Sequence, residues 1–132
     1  MPKYAYQGRL SVIVPVKNEE DNVAPLVREI AAALTGKAEF EIIYINDGST
    51  DRTQAVLDGL KTEFPMLRVI RHRASCGQSQ AVTTGVRAAR FEWIATLDGD
   101  GQNDPADIPA LLAALADPKQ PANLELLAGW RT

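Results

Sequence analysis

The stretch TLDGDGQNDP, residues 96–105, gathers oxygen-bearing side chains directly after an apolar segment. Asp98, Asp100 and Gln102 alternate with two glycines, so in an extended backbone their side chains point to one side. Two carboxylates and an amide oxygen then converge, and hard cations such as Mg²⁺ or Mn²⁺ prefer oxygen ligands. The spacing therefore predicts a divalent metal site at these three residues.

The later part of the same stretch has a different interpretation. Asp104 precedes Pro105, which suits the first position of a helix, so Asp104 is predicted to cap a helix. A calcium EF-hand loop beginning at Asp98 would need Gly at its sixth position and Glu at its twelfth. Asn103 and Pro109 stand there, so that motif is excluded. A P-loop and a GxGxxG motif are also absent from the sequence.

Two further polar loops follow apolar runs. In NDGSTD, residues 46–51, Asp47 could accept hydrogen bonds from the N–H groups of a base, or bind its own turn. In the same loop, Ser49 or Thr50 is predicted to cap the next helix. In PVKNEE, residues 15–20, Asn18 is predicted to cap a helix, and Glu19 is a candidate ligand contact. His72 and Cys76 show no metal-ligand spacing, and each is predicted to be structural.

Composition limits the classes of protein that need be considered. The chain has 132 residues, of which 45% are hydrophobic and 23% charged, as in an ordinary globular protein of one domain, residues 1–132. Its net charge of -3 argues against a nucleic-acid partner. The sequence contains no apolar run of the ~20 residues that a membrane span needs. A signal peptide is not expected, and the single Cys76 fits a reducing cytosol.

The elements that must position these residues alternate along the chain. The predicted strands are Leu10–Val16, Phe40–Ile45, Leu67–Ile70, Trp93–Leu97 and Leu124–Leu127, and the predicted helices are Glu20–Leu34, Asp51–Leu60, Gly77–Arg90 and Pro105–Leu115. This order predicts an α/β fold with a mostly parallel sheet and helices on both faces. Ligands of open parallel sheets bind beyond the C-terminal strand ends. The three polar loops follow such ends, so we expect them to form one site.

Taken together and in this order, VPVKNEE, INDGSTD and LDGDGQNDP resemble the motifs of inverting family 2 glycosyltransferases. The resemblance is closest to the dolichol-phosphate mannosyltransferases and the bacterial polyprenyl-phosphate transferases, and it covers about residues 10–131. It implies the Rossmann-like GT-A fold of nucleotide-diphospho-sugar transferases. Asn46 departs from the pattern, since many relatives have Asp there.

The resemblance also implies roles for individual residues. Pro15 and Glu19 would line the nucleotide pocket, and Asp47 would contact the base. The DxD pair, Asp98 and Asp100, would be catalytic, with Asp98 also at the nucleotide. The implied metal ligands are Asp98, Asp100 and Gln102, and the implied contact of the acceptor phosphate is Arg131.

The resemblance further implies the reaction and its partners. The donor would be a UDP- or GDP-sugar, and Mg²⁺ or Mn²⁺ would offset the charge that grows on the leaving diphosphate. The acceptor would be a polyprenyl phosphate at the cytoplasmic face of a membrane. A phosphomonoester has a second pKa of ~6, so this acceptor is already anionic and needs little help from a general base.

Two other classes of function stay open at this point. The family's catalytic domain continues beyond Thr132, so the chain is expected to be a truncated, donor-binding half, which could bind nucleotide sugar without turnover. The second class is a nucleotidyltransferase, which should carry a glycine-rich, basic loop after the first strand. PVKNEE is acidic instead, which argues against this class. A truncated sheet would leave an open edge or an apolar face, which predicts a homodimer.

Overall fold

Four strands and three helices alternate along the part of the chain that the computed structural model describes, residues 9–37, 39–91 and 93–97. The strands are β1 (Arg9–Val16), β2 (Glu39–Asp47), β3 (Leu67–His72) and β4 (Trp93–Thr96), and the helices are α1 (Glu20–Leu34), α2 (Thr53–Glu63) and α3 (Gln78–Ala88). The predicted order of elements is confirmed over this range. The predicted helix Pro105–Leu115 and strand Leu124–Leu127 lie outside the described residues.

The strands form one parallel sheet in the order β3-β2-β1-β4. The chain builds outward from β1 to β3 and then crosses back to place β4 on the other side of β1. The order therefore reverses between β1 and β4, which is the position where open α/β sheets bind ligands. The Leu97 N–H donates to the Ile13 carbonyl at 3.0 Å, so the backbone is still held against β1 one residue before the acidic turn begins in the sequence.

Helices cover both faces of the sheet, as the continuous apolar strands predict. On one face, α1 and α2 pack over alternate residues of β1 and β2, with Val12, Val14 and Tyr44 fully buried. On the other face, α3 packs over Ile13 and Ile45. Among the described residues, no helix has the length and apolar content to cross a membrane.

Small residues let α3 approach the sheet closely. A Cβ atom added at Gly85 would lie 2.5 Å from Ile13 Cγ2 and 2.8 Å from Ile45 Cδ1. Ala81, one turn earlier, is fully buried in the same layer. These small residues therefore serve the close packing of α3 on the sheet.

Candidate functional site

The loops after β1 and β2 are joined to each other at the C-terminal edge of the sheet. Asn18 has a φ of 55°, a left-handed conformation that asparagine tolerates. Its Oδ1 accepts hydrogen bonds from the N–H groups of Thr50 at 2.8 Å and Asp51 at 3.3 Å. Its own N–H donates to Ser49 Oγ at 2.8 Å. The predicted capping role of Asn18 is wrong, because its side chain reaches across to the second loop while Glu19 precedes the helix.

The first turn of α1 is also satisfied from the second loop. Thr53 Oγ1 accepts from the Glu19 N–H at 3.0 Å, and Asp51 Oδ2 accepts from the Glu20 N–H at 3.3 Å. The other oxygen of Asp51 accepts from the Thr53 N–H at 2.9 Å, and the Thr53 hydrogen bonds lower the pKa of Asp51. Ser49 and Thr50, predicted to cap α2, do not do so, since α2 begins after Arg52 and Asp51 meets its first N–H.

Two of the predicted nucleotide contacts belong to the first loop region. Pro15 is buried within β1 and pairs with Ile45, and the ladder continues for one more residue, to Val16 and Asn46. Glu19 is partly exposed, and its Oε2 accepts from Asn22 Nδ2 at 2.6 Å. Both residues thus lie at the edge where the loops meet, and their nucleotide contacts stay predictions.

Asp47 lies at the end of β2 and is 5% exposed. Its Oδ1 accepts from His72 Nδ1 and from the Cys76 N–H, each at 2.8 Å. Its Oδ2 accepts from Ser75 Oγ at 3.0 Å and from the Gly77 N–H at 2.9 Å. A carboxylate offers about four acceptor positions, so the protein itself occupies each of them and Asp47 anchors residues 73–77.

These hydrogen bonds determine the charge of Asp47. Burial raises the pKa of this carboxyl, but the hydrogen bonds from Cys76, His72, Ser75 and Gly77 outweigh it and lower the pKa to about 2. Asp47 is therefore a fixed negative charge at the C-terminal edge of the sheet.

Asn46 and Gly48 explain how the loops after β2 and β3 fit together. Asn46, rather than Asp47, binds its own turn: its Oδ1 accepts from the Ser49 N–H at 3.1 Å, while its Nδ2 donates to Gln54 at 2.9 Å. The Asn46 side chain thus both accepts and donates a hydrogen bond. Gly48 has a φ of 73°, and a Cβ there would lie 2.5 Å from the Ser75 nitrogen. Only glycine allows the two loops to approach this closely.

The spacing of His72 and Cys76 in the sequence indicates no common site, but the structure brings both side chains together with Asp47. Their ligand atoms and those of Asp47 lie within 4.8 Å of one another. A carboxylate, an imidazole and a thiol could bind zinc. However, the Asp47 oxygens and the His72 nitrogens already have hydrogen-bond partners, including Thr84 Oγ1 at 2.9 Å from His72 Nε2. A metal ion would have to displace these bonds, so we interpret the group as a hydrogen-bond cluster.

A second polar cluster surrounds the buried Glu41, which is 4% exposed. Its carboxylate accepts from Ser11 Oγ at 2.6 Å, Arg68 Nη1 at 2.8 Å and the Arg90 N–H at 2.7 Å. Ser11 Oγ in turn accepts from the Phe91 N–H at 3.3 Å. Burial raises the pKa of Glu41, but the hydrogen bonds prevail and lower it. The cluster fastens the connection between α3 and β4, and no sequence pattern had indicated it.

The structure thus brings together the loops after β1, β2 and β3, with Pro15, Glu19 and Asp47 at one edge of the sheet. Arg71 and Arg73 are exposed at the end of β3 on the same edge. The metal and acceptor predictions fall on Asp98, Asp100, Gln102 and Arg131, which lie outside the described residues.

Curated relatives match most of this chain. A dodecaprenyl-phosphate galacturonate synthase from Rhizobium johnstonii is 41% identical over 126 residues, which cover 92% of this chain and 36% of that protein. A dolichol-phosphate mannosyltransferase from Pyrococcus furiosus is 36% identical over 107 residues, covering 81% of this chain and 30% of that protein. The chain therefore spans about a third of the length of these relatives.

Solved structures share the fold. The mannosyltransferase PcManGT from Pyrobaculum calidifontis, solved in complex with GDP-Man and Mn²⁺, matches with a TM-score of 0.72 and 26% identity. That match covers 89% of this chain and 35% of that one. TarS from S. aureus (residues 1–349) matches with a TM-score of 0.70 and 24% identity, covering 81% of this chain and 32% of that one. The predicted Rossmann-like GT-A fold is confirmed.

The family comparison agrees with the strand-end loops and the fold. The profile of glycosyl transferase family 2 matches residues 11–122. This range begins in β1 and includes all three polar loops. The chain therefore belongs to glycosyl transferase family 2.

Proposed function

We propose that this chain is the nucleotide-sugar-binding part of a metal-dependent, inverting glycosyltransferase whose acceptor is a polyprenyl phosphate. The observation that carries the proposal is the ionised, buried Asp47, held among joined loops at the C-terminal edge of a sheet whose strand order reverses beside β1. The named relatives transfer sugars to polyprenyl or dolichyl phosphates. Family membership favours glycosyl transfer over nucleotidyl transfer.

In this proposal the donor is a UDP- or GDP-sugar. Asp47 accepts a hydrogen bond from an N–H of the base, and Pro15 and Glu19 line the nucleotide pocket. Of the four donors to Asp47, Ser75 is an exposed side-chain hydroxyl, which can turn away without moving the backbone. A base N–H can therefore replace the Ser75 hydroxyl while the other three donors stay in place.

The proposed metal ligands are Asp98, Asp100 and Gln102. Their oxygen donor set fits Mg²⁺ or Mn²⁺, and the sequence reaches them directly after Leu97, which the structure holds against β1 at the reversal of strand order. The related PcManGT was solved with GDP-Man and Mn²⁺. The metal supplies Lewis-acid stabilisation of the leaving diphosphate. Asp98 and Asp100 orient the donor, and Arg131 binds the acceptor phosphate at the cytoplasmic face of the membrane.

Calorimetric titration with UDP and with GDP, each with Mn²⁺ and with a chelator, tests the donor site. We expect one nucleotide to bind in the presence of Mn²⁺, and the binding to be lost with chelator and in Asp100→Ala. Asp104→Asn is the matched control, because Asp104 belongs to the same turn but is predicted to cap a helix. Equal losses of nucleotide binding in both variants, or binding that does not depend on Mn²⁺, would contradict the assignment of Asp100 as a metal ligand.

A binding part without turnover is a second candidate, favoured by the observation that the chain spans about a third of its relatives' length. One measurement distinguishes this candidate from a chain that is active by itself. Transfer of labelled sugar to a polyprenyl phosphate by this chain would exclude it. Transfer seen only with a chain that extends further toward the C-terminus would establish it.

A further inference from the structure

His72 contacts a hydrogen-bond partner with each of its ring nitrogens. It is the last residue of β3 and pairs in register with Asp47. Nδ1 lies 2.8 Å from Asp47 Oδ1, and Nε2 lies 2.9 Å from Thr84 Oγ1 on α3. The side chain is 14% exposed, so water has little access to replace these partners. The ring therefore bridges β2 and α3.

The direction of the hydrogen bond to Asp47 follows from its partner. An ionised carboxylate only accepts hydrogen bonds, so Nδ1 must carry a proton. Thr84 Oγ1 lies 3.0 Å from the Gln80 carbonyl and 2.9 Å from His72 Nε2, so its single hydroxyl proton can be donated to either of them. The contact with Asp47 therefore assigns one ring proton, at Nδ1, whereas Nε2 can donate to Thr84 or accept from it.

We propose that His72 is a positioning residue for nucleotide binding, which holds Asp47 and residues 73–77 in place through its Nδ1–H. This inference rests on the proposed function, because it takes Asp47 to be the carboxylate that meets the base. The hydrogen bond fixes one Asp47 oxygen, Oδ1, and leaves Oδ2, which Ser75 contacts, for the base N–H. His72 itself touches neither the nucleotide nor the reacting atoms.

The groups that face His72 come from each neighbouring element. Asp47 on β2 supplies the negative charge, and the Cys76 thiol lies beside both side chains. From α3 the contacting group is the neutral Thr84 hydroxyl. On its own strand and just beyond it, Arg71 and Arg73 are exposed.

The first test reads the protons directly. His72 is the only histidine in the sequence, so a long-range proton–nitrogen-15 NMR spectrum of its ring is free of overlap. We expect the spectrum to show a proton on Nδ1. Thr84→Val is the matched variant, because it removes the partner of Nε2 and leaves the contact with Asp47 in place. In that variant we expect Nδ1 to stay protonated. A ring protonated only at Nε2 in the unmodified protein would overturn the proposal.

The second test reads positioning through nucleotide affinity. His72→Leu removes both ring nitrogens, while His72→Asn places an N–H near the position of Nδ1. We expect His72→Leu to weaken UDP or GDP binding with Mn²⁺ about tenfold, the value of one charge-assisted hydrogen bond. His72→Asn should recover part of this loss. Circular dichroism of each variant reports whether it folds.

The two tests separate the inference from the function on which it rests. If the unmodified protein binds nucleotide and carries the Nδ1 proton, but His72→Leu folds and binds equally well, positioning by His72 is wrong. If the unmodified protein binds no nucleotide, the proposed function fails and the positioning role fails with it. The NMR spectrum then still decides whether the Asp47–His72 hydrogen bond exists.

Discussion

Asp47 shows how a single residue can combine a structural and a functional task. Its carboxylate collects donors from the end of β3 and from residues 73–77, and these bonds keep it ionised despite its burial. The same bonds hold the N-terminal end of α3 against the sheet, through the N–H of Gly77. A base-contacting carboxylate placed here is therefore rigid before any ligand arrives.

The lowered pKa of Asp47 predicts a specific loss of stability in acid. The folded-state pKa of about 2 is below the ordinary value of 3.8. The ionised group therefore stabilises the fold above about pH 4, and this contribution is lost as the pH falls toward 2. The difference corresponds to about 2 kcal/mol. In urea unfolding, Asp47 should contribute about this amount to the fall in the free energy of unfolding of the wild type between about pH 4 and pH 2, in addition to the contributions of other carboxyl groups.

Asp47→Asn is the comparison for this measurement. It cannot titrate, so its free energy of unfolding should fall less steeply over the same range, with the other carboxyl groups common to both proteins. The two curves should therefore converge at low pH. Parallel curves would mean that Asp47 is not held by its four hydrogen bonds as described.

Particular residues show which parts of the fold and site could be predicted. The apolar runs of β1 and β2 and the helical spacing of α1 predicted those elements because these patterns are local. The Asp47–His72–Cys76 cluster could not be found from spacing, because its members are 25 and 29 residues apart and meet only through the register of β2 with β3. The sequence predicts that Asn18 caps the adjacent helix, but in the structure its side chain accepts a hydrogen bond from a loop 32 residues away.

At the level of elements, the packing of α3 on the sheet predicts opposite effects at two helical glycines. Gly85→Ala would place a Cβ 2.5 Å from Ile13 Cγ2, which can move away only if the whole, fully buried Ile13 side chain rotates. We expect this overpacking to destabilise the protein by about 1–2 kcal/mol. Gly59→Ala on α2 meets no atom within 4 Å and should stabilise it by about 0.5–1 kcal/mol.

Thermal and urea unfolding of both glycine variants would check this prediction. The substitutions are chemically identical and both lie inside helices, so helix propensity acts equally on each. The difference between them isolates the approach of α3 to β1. Equal stabilisation by both would mean that α3 does not pack at the distance described.

The connection between α3 and β4 predicts a further effect at Glu41. Glu41→Gln replaces one acceptor oxygen by an NH₂ group that faces the donors of Ser11, Arg68 or Arg90. Leaving such a buried donor unpaired should cost about 2–3 kcal/mol of unfolding free energy. Glu39→Gln, an exposed position on the same strand, is the matched control and should change stability by less than about 0.5 kcal/mol. Comparable changes in the two variants would contradict a buried charge network.

For the whole molecule, the described sheet connects the strand order, the joined loops and the start of β4. Its strand order places the reversal beside β1, the joined loops fix Asp47 near that edge, and the Glu41 cluster fastens the start of β4. Because β4 leads in the sequence to Asp98 and Asp100, any change in the pairing of β4 with β1 would move the entry into the proposed metal site. Stability of the sheet and donor binding are therefore expected to be coupled.

The predicted homodimer is the last property that belongs to the whole molecule. Strand β3 forms one edge of the described sheet, and it carries Arg68, Arg71 and His72. Charged residues on an edge strand oppose pairing with a second copy, so dimerisation should not use β3. Light scattering over a range of concentrations should show dimers, and Arg71→Glu, at an exposed position of this edge strand, should leave the dimer intact. A monomer at every concentration would contradict the dimer, and a monomer only in the variant would place the interface at β3.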